Sequence, residues 1–361
     1  GVNCIGCHAS EFQGEVVIGL GNSMRDWHGH AHDYTPLRIL AAMAYAPDAA
    51  ELDTLKTFLR GAEALNGNAG TPFRGPNPAF RFEEIAAAHR NPADLTWSEA
   101  PLYPYGDTVI TSDVPPWWNV KKKTSLYYNG MGHGDFARLI QQIGVVLMGD
   151  AADAERVDPH MHDLLAYIQT LEAPPYPLPI DATLAERGAE LFAANCADCH
   201  GTYAQHPHET DTYPNKRIPL DKIGTDPLYA QHLRESGLHD WFNQSWFAKG
   251  DTTYAEPKLT YVAPPLDGVW ITAPYFHNGS VPTLEGVLNS EARPTRWRRS
   301  FDSHDYDLAS PGWRFESVDR PTDDRNVYDT AIPGYGNQGH TFGDDLSDAE
   351  RRAIIEYLKT L

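Results

Sequence analysis

The tightest constraint on this chain is the pair Cys4-Ile5-Gly6-Cys7-His8 and Cys196-Ala197-Asp198-Cys199-His200, two copies of C-x-x-C-H that use all four of its cysteines. Two thiols three residues apart on a helical turn can each add to one vinyl group of a haem, and the adjacent histidine then reaches the iron. Each motif therefore implies one covalently attached haem c, on Cys4, Cys7 and His8 and on Cys196, Cys199 and His200, two haems in all. A zinc site, a redox dithiol and a pair of structural disulfides draw on the same residue types. A zinc ribbon, however, wants its two C-x-x-C pairs about 15–20 residues apart, and these stand almost two hundred apart.

The 361 residues are enough for two domains, and 41% hydrophobic residues is ordinary for a soluble globular chain. No run of eighteen apolar residues occurs, so no transmembrane segment is expected. The formal charge of −20, from 49 acidic and 29 basic residues, argues against nucleic acid or an anionic membrane surface and suits a basic redox protein or another cytochrome as partner. Covalent haem attachment takes place outside the bacterial cytoplasm, so a periplasmic or extracellular location behind an export signal is expected. The first motif begins at residue 4 with no room for a helix before it, whereas Asp181 can cap a helix whose Leu184, Leu191 and Phe192 share a face with Gly188 and lead into Cys196. Residues upstream of Gly1 are therefore expected.

Residues 164–171 read L-L-A-Y-I-Q-T-L and residues 354–361 read I-I-E-Y-L-K-T-L, an offset of 190 against 192 for the two motifs. Each half thus runs from a C-x-x-C-H to a terminal amphipathic helix, as a duplicated unit would. Asp158-Pro159 offers a cap and first-turn proline for one helix, and Ser347-Asp348-Ala349-Glu350 a capping box for the other. The proline-rich residues 173–179 read as a stiff linker between domains 1–172 and 180–361. With 29 glycines and 28 prolines, the remainder is expected to be helices joined by long ordered loops.

Residues 272–284, T-A-P-Y-F-H-N-G-S-V-P-T-L, resemble the T-A-P-Y-x-H-[DN]-G-S stretch of the bacterial di-haem cytochrome c peroxidase superfamily. With I-G-T-D-P at 223–227, Arg293-Pro294 and N-Q-G-H-T-F-G at 337–343, the similarity is closest to the rubber oxygenase branch. It covers the second half nearly throughout, and in the first half only the motif, P-P-W-W-N at 115–119 and the terminal helix. The resemblance implies a mainly α fold of two cytochrome c-like helical domains with long loops, each holding one haem c. It also implies an oxidoreductase in which one haem transfers electrons and the other reduces peroxide or activates oxygen. A non-catalytic electron conduit within a larger assembly is the alternative.

His8 and His200 are the proximal ligands by motif. Where peroxidases of this superfamily carry a distal methionine this chain has Glu291, so His340, placed as in rubber oxygenases, is the expected sixth ligand of the second iron. His277 is the runner-up, with a loop-bracing role as its competing reading. For the first iron, Met148 falls at the position of His340 by the repeat, His133 lies in G-M-G-H-G-D as a possible general acid/base beside an open iron, and His28, His30 and His32 cluster. Trp117 and Trp118 stand where the superfamily places an aromatic residue between the haems, suited to relaying an electron. The triplet 121–123 reads as a solvated basic face. Thr272 and Pro274 match positions whose carbonyls hold calcium in the peroxidases. Arg293, Arg296, Arg298 and Arg299 form a basic cluster able to pair with haem propionates.

Overall fold

In the computed structural model, residues 3–27, 44, 48–204, 209–250 and 252–361 are described, with Met148 described for its backbone alone. Of the described residues 40% are helical and 13% strand, a mixed α/β structure with several small sheets, and the expected mainly α pair of cytochrome c-like helical domains is not what they form. Among the described residues there are five sheets, four of two strands and one of three, none with a strand longer than four residues. Three-residue strands hold too few positions for period-two alternation to register in a sequence. Two of the pairings also join segments far apart in the chain: Gly132–Gly134 lies antiparallel to Thr253–Ala255, and Arg217–Pro219 to Thr260–Val262. Composition rich in glycine and proline thus leads to short cross-chain ladders as well as loops.

The helix Ala182–Asn195 packs against the C-terminal helix Asp348–Leu358. Asp181 caps the first by accepting from the Leu184 N–H at 3.0 Å, and Ser347 with Glu350 closes a capping box on the second. At the crossing, a Cβ on Gly188 would stand 1.9 Å from the Ala353 carbonyl oxygen, so only glycine permits this approach. The other terminal helix runs over Ala151–Thr170, eight residues longer at its start than Asp158-Pro159 implies. Asp150 and Asp153 form the capping box there, and Pro159 is carried inside the helix.

Two cores dominate. One gathers Phe12, Leu20 and Trp118 with Leu191, Phe192, Trp270, Ile354 and Tyr357. The other gathers Phe80, Leu95, Leu139 and Val146 with Tyr229, Trp241, Phe247 and Tyr261. Both mix residues from before and after the proline-rich stretch. That stretch is itself pinned: Trp270 donates to the Pro174 carbonyl at 3.2 Å and the Tyr176 hydroxyl to Leu308 at 2.7 Å.

Gly188→Val is expected to lower stability by about 1–3 kcal/mol through overpacking, read as a lower urea midpoint. Gly144→Ala, in the helix Phe136–Met148 where an added Cβ meets nothing within 4 Å, is expected to gain up to about 1 kcal/mol of helix propensity. A Gly188→Val protein as stable as its parent would mean that the two helices do not cross this closely.

Candidate functional site

The second motif is a single turn, Ala197–His200, set off from the preceding helix at Cys196, whose carbonyl accepts from the N–H groups of Cys199 (3.1 Å) and His200 (3.0 Å). Gly201, at φ +81°, turns the chain away where a Cβ would meet the Thr212 carbonyl oxygen at 1.9 Å. His200 donates from Nδ1 to the Pro264 carbonyl at 2.9 Å. That bond fixes the tautomer and leaves Nε2 with its lone pair for a metal.

His340 stands across from it, the ring centres 6.3 Å apart and the planes at 62°. The residue has a left-handed backbone, φ +46°, and its N–H donates to the Ile223 carbonyl at 2.7 Å. Its buried Nδ1 is turned to the backbone carbonyls of Val287 and of its own residue without closing a hydrogen bond. With a metal about 2.0–2.1 Å from each Nε2, and each nitrogen ~1.1 Å from its ring centre, two ligating imidazoles would have centres about 6.3 Å apart. The separation of the two ring centres is that of imidazoles on either side of one metal ion. Burial lowers the pKa of both; that of His340 falls to about 4, with His200 and Arg293 adding to the effect. Both rings are neutral at neutral pH, the form that ligates.

In the first motif, the N–H groups of His8 and Cys7 donate to the Cys4 carbonyl at 2.9 and 3.2 Å, and the carbonyls of His8 and Cys7 accept from the N–H groups of Gly19 and Asn22, both at 2.8 Å. The His8 ring stacks on Trp117, centres 4.8 Å apart and planes at 19°. Its Nδ1 is buried and faces the Pro115 carbonyl without closing a bond, and burial lowers its pKa to about 4. Pro115-Pro116 and Pro264-Pro265 thus serve the two histidines in parallel, a sequence signal that the motif reading passed over. All four thiols are free, and burial raises each pKa, Cys196 to about 11. A redox dithiol wants a lowered thiol pKa, so the pairs suit thioether attachment better. Among the described residues no three His, Cys, Asp or Glu side chains converge to hold a metal ion.

Trp118 is buried and donates from its indole N–H to the Asp267 carbonyl at 2.8 Å, while Asn119 donates to Pro265 at 3.0 Å. A continuous path follows: His8 ring to Trp117, one peptide to Trp118, its hydrogen bond to Asp267, and three residues back to Pro264 beneath His200. The basic triplet is not simply solvated. Lys121 pairs with Glu172 at 2.5 Å, Lys122 bridges Asp211 and Asp267 at 2.5 and 2.6 Å, and Lys123 is drawn in beside His8, its amine pushed down to about 8 by burial.

The other candidates separate. His133 stacks on Tyr254 at 4.8 Å, and its Nε2 accepts from Arg217 at 2.6 Å. His277 is a buried brace, stacked on Tyr261 at 4.2 Å with Nε2 3.1 Å from that hydroxyl. His28, His30 and His32 and the Met148 side chain lie outside the described residues. Arg296 pairs with Asp329 and Arg298 with Asp324. Arg299 is buried, bonded to the Ser23 carbonyl and stacked over Phe301 and Trp313. Arg293 spends its donors on backbone carbonyls, which leaves none for a propionate. Thr272 hydrogen-bonds back to Val269, and Pro274 borders a cavity of about 10 Å³ with Asp113, Arg74 and Arg299, whose two guanidinium groups oppose a cation there.

A family model for RoxA-like, cytochrome c-like proteins matches residues 260–298, the segment that carries Pro264, Asp267, His277 and Arg293. Two proteins of Sinorhizobium fredii (strain NBRC 101917 / NGR234), each named as uncharacterized, are similar. One, y4iM, is 28% identical over 294 residues, covering 69% of this chain and 64% of that protein. The other, y4iJ, is 29% identical over 241 residues, covering 50% and 39%. The chain therefore spans less than two thirds of either. The family match supports a cytochrome c-like protein related to RoxA, and with it a haem-c-binding redox protein. No helix among the described residues is long and apolar enough to cross a membrane, in keeping with the sequence.

Burial holds His277 neutral down to about 3, against 6.5 for an ordinary histidine. Between those values the unfolded chain binds a proton that the folded one refuses. The stability this neutral ring contributes is complete above pH 6.5 and is lost as pH falls toward 3. His277→Phe, which leaves the Tyr261 hydroxyl bonded to the Asp226 carbonyl, is expected to flatten the dependence of the denaturant midpoint between about pH 7 and pH 4. An unchanged slope would place the acid sensitivity elsewhere.

Proposed function

We propose that this chain is a di-haem c-type redox protein, periplasmic or extracellular, with an electron-transfer site at His200 and His340 and a site at His8 where peroxide or dioxygen is reduced. The observation that carries the reading is the opposed pair of neutral imidazoles, 6.3 Å between centres, one anchored to Pro264. When bound, haem c supplies one-electron chemistry at iron, and its axial ligands decide whether that iron only passes electrons or also binds oxygen species. His200 and His340 would hold the second haem iron between them, leaving it to pass electrons. Trp117 and Trp118 would carry the electron between the two sites, in contact with His8 at one end and with the Pro264 loop at the other. Lys123 beside His8 would supply a cation to a carboxylate of the first haem. A basic protein or another cytochrome is the partner that the charge of −20 favours.

The competing reading, a conduit with no reaction at either iron, is favoured by one observation: the Nε2 of His133, the general acid/base that the sequence offers, is already engaged by Arg217. Visible and electron paramagnetic resonance spectra of the oxidised and half-reduced holoprotein separate the two. The proposal expects one low-spin iron indifferent to cyanide and peroxide, together with one iron whose signal shifts on adding either. Two low-spin irons, inert to both ligands in both redox states, would establish the conduit instead.

A further inference from the structure

His340 is presented by a loop with no regular secondary structure, and its own φ of +46° is unfavourable for a residue with a side chain. Such a conformation persists only where its surroundings over-determine it. Gly339, at φ +75°, lies flat on Gly224, where a Cβ would meet the Gly224 carbonyl carbon at 2.2 Å. The larger restraint is Arg293. Its Nε donates to Gly286 at 2.6 Å, Nη1 to Asn337 at 2.8 Å and Gly339 at 2.6 Å, and Nη2 to His340 at 3.0 Å and Val287 at 3.3 Å. Guanidinium has five N–H donors in a fixed fork, and here all five meet backbone carbonyls. Three belong to the His340 loop, and two to the helix Leu284–Leu288. Asn337 returns a bond to the Pro294 carbonyl at 2.9 Å, so the two segments grip each other from both sides. The guanidinium also covers the Phe276 ring at 4.9 Å, and that ring stands 5.8 Å from His340.

We infer that Arg293 is a positioning residue that holds His340 as the permanent sixth ligand of the second iron. This rests on the reading of His200 and His340 as an axial pair. By fixing the Asn337, Gly339 and His340 carbonyls of the loop to a neighbouring helix, Arg293 keeps His340 from swinging off the iron when the redox state changes. Lysine at this position would keep the charge but could not reach five acceptors in one plane.

The test compares full-length holoprotein carrying Arg293→Lys, Arg293→Met, Asn337→Ala or His340→Gly with the parent. Oxidised-state electron paramagnetic resonance and the rate of cyanide binding are the readouts. His340→Gly defines the signature of an open second iron. Both Arg293 variants are expected to show that signature in part and to bind cyanide at the second iron at least about tenfold faster, the scale on which outer-shell changes act. Asn337→Ala, which removes only the bond returned to Pro294, is expected to move the same way by less, and it decides the matter with Arg293→Lys should Arg293→Met fail to fold. A second iron that stays low-spin and inert to cyanide in the Arg293 and Asn337 variants, beside an altered His340→Gly, would overturn the role of Arg293. An unaltered His340→Gly would overturn the axial pair itself.

Discussion

The hydrogen bond from His200 Nδ1 to the Pro264 carbonyl is the constraint from which the rest of the second site follows. A proline can accept but not donate through its backbone, and Pro265 behind it restricts Pro264 to extended conformations. The carbonyl is thus aimed before the histidine arrives. Asn119 fixes Pro265 from the other side and the Tyr203 hydroxyl accepts from the Leu266 N–H at 2.6 Å, so the acceptor belongs to a rigid strip. The bond to a neutral carbonyl orients the imidazole while favouring its protonated form, and burial, the larger effect, disfavours the charged ring and lowers its pKa.

That strip also joins the two halves of the chain. Trp118 and Asn119 come from before the proline-rich stretch, Pro265 and Asp267 from after it, and Lys122 reaches across to Asp211 and Asp267. One small sheet also joins the halves, pairing Gly132–Gly134 with Thr253–Ala255. Electron transfer between the proposed sites needs this arrangement held fixed, and the cross-chain bonds are where the geometry is determined.

Much of the second half was legible because its signals are local. Asp181, Ser347 and Glu350 act within a turn of where they stand, and Gly188 is conspicuous as a missing side chain on an apolar helical face. The C-x-x-C-H motifs are likewise local chemistry. What was illegible depends on distant partners. The fold class failed because strands of two to four residues, one pair of them joined across more than a hundred residues, leave no periodic trace. Asp158-Pro159 looked like a helix start, yet the Asp150 and Asp153 box begins the helix upstream, and the helix carries Pro159 inside it although a proline there forfeits a backbone bond and crowds the carbonyl four residues before it. Arg293 resembled its basic neighbours, and only the loop folded over it shows that its donors are spent.

The two motif histidines are held by different means. His200 closes its bond to Pro264 and faces His340, whose strained backbone is tied by Arg293 and by Ile223. His8 faces Pro115 without closing a bond and is held chiefly by stacking on Trp117. Hydrogen bonds fix direction sharply, whereas a stacked pair tolerates sliding of its rings at little cost. A site whose ligands must stay bound through every redox cycle gains from the first kind of restraint. A site whose ring is set against an indole gains electronic contact at the expense of rigidity. This division of restraints matches the division of labour proposed for the two halves, with transfer at His200 and reaction at His8.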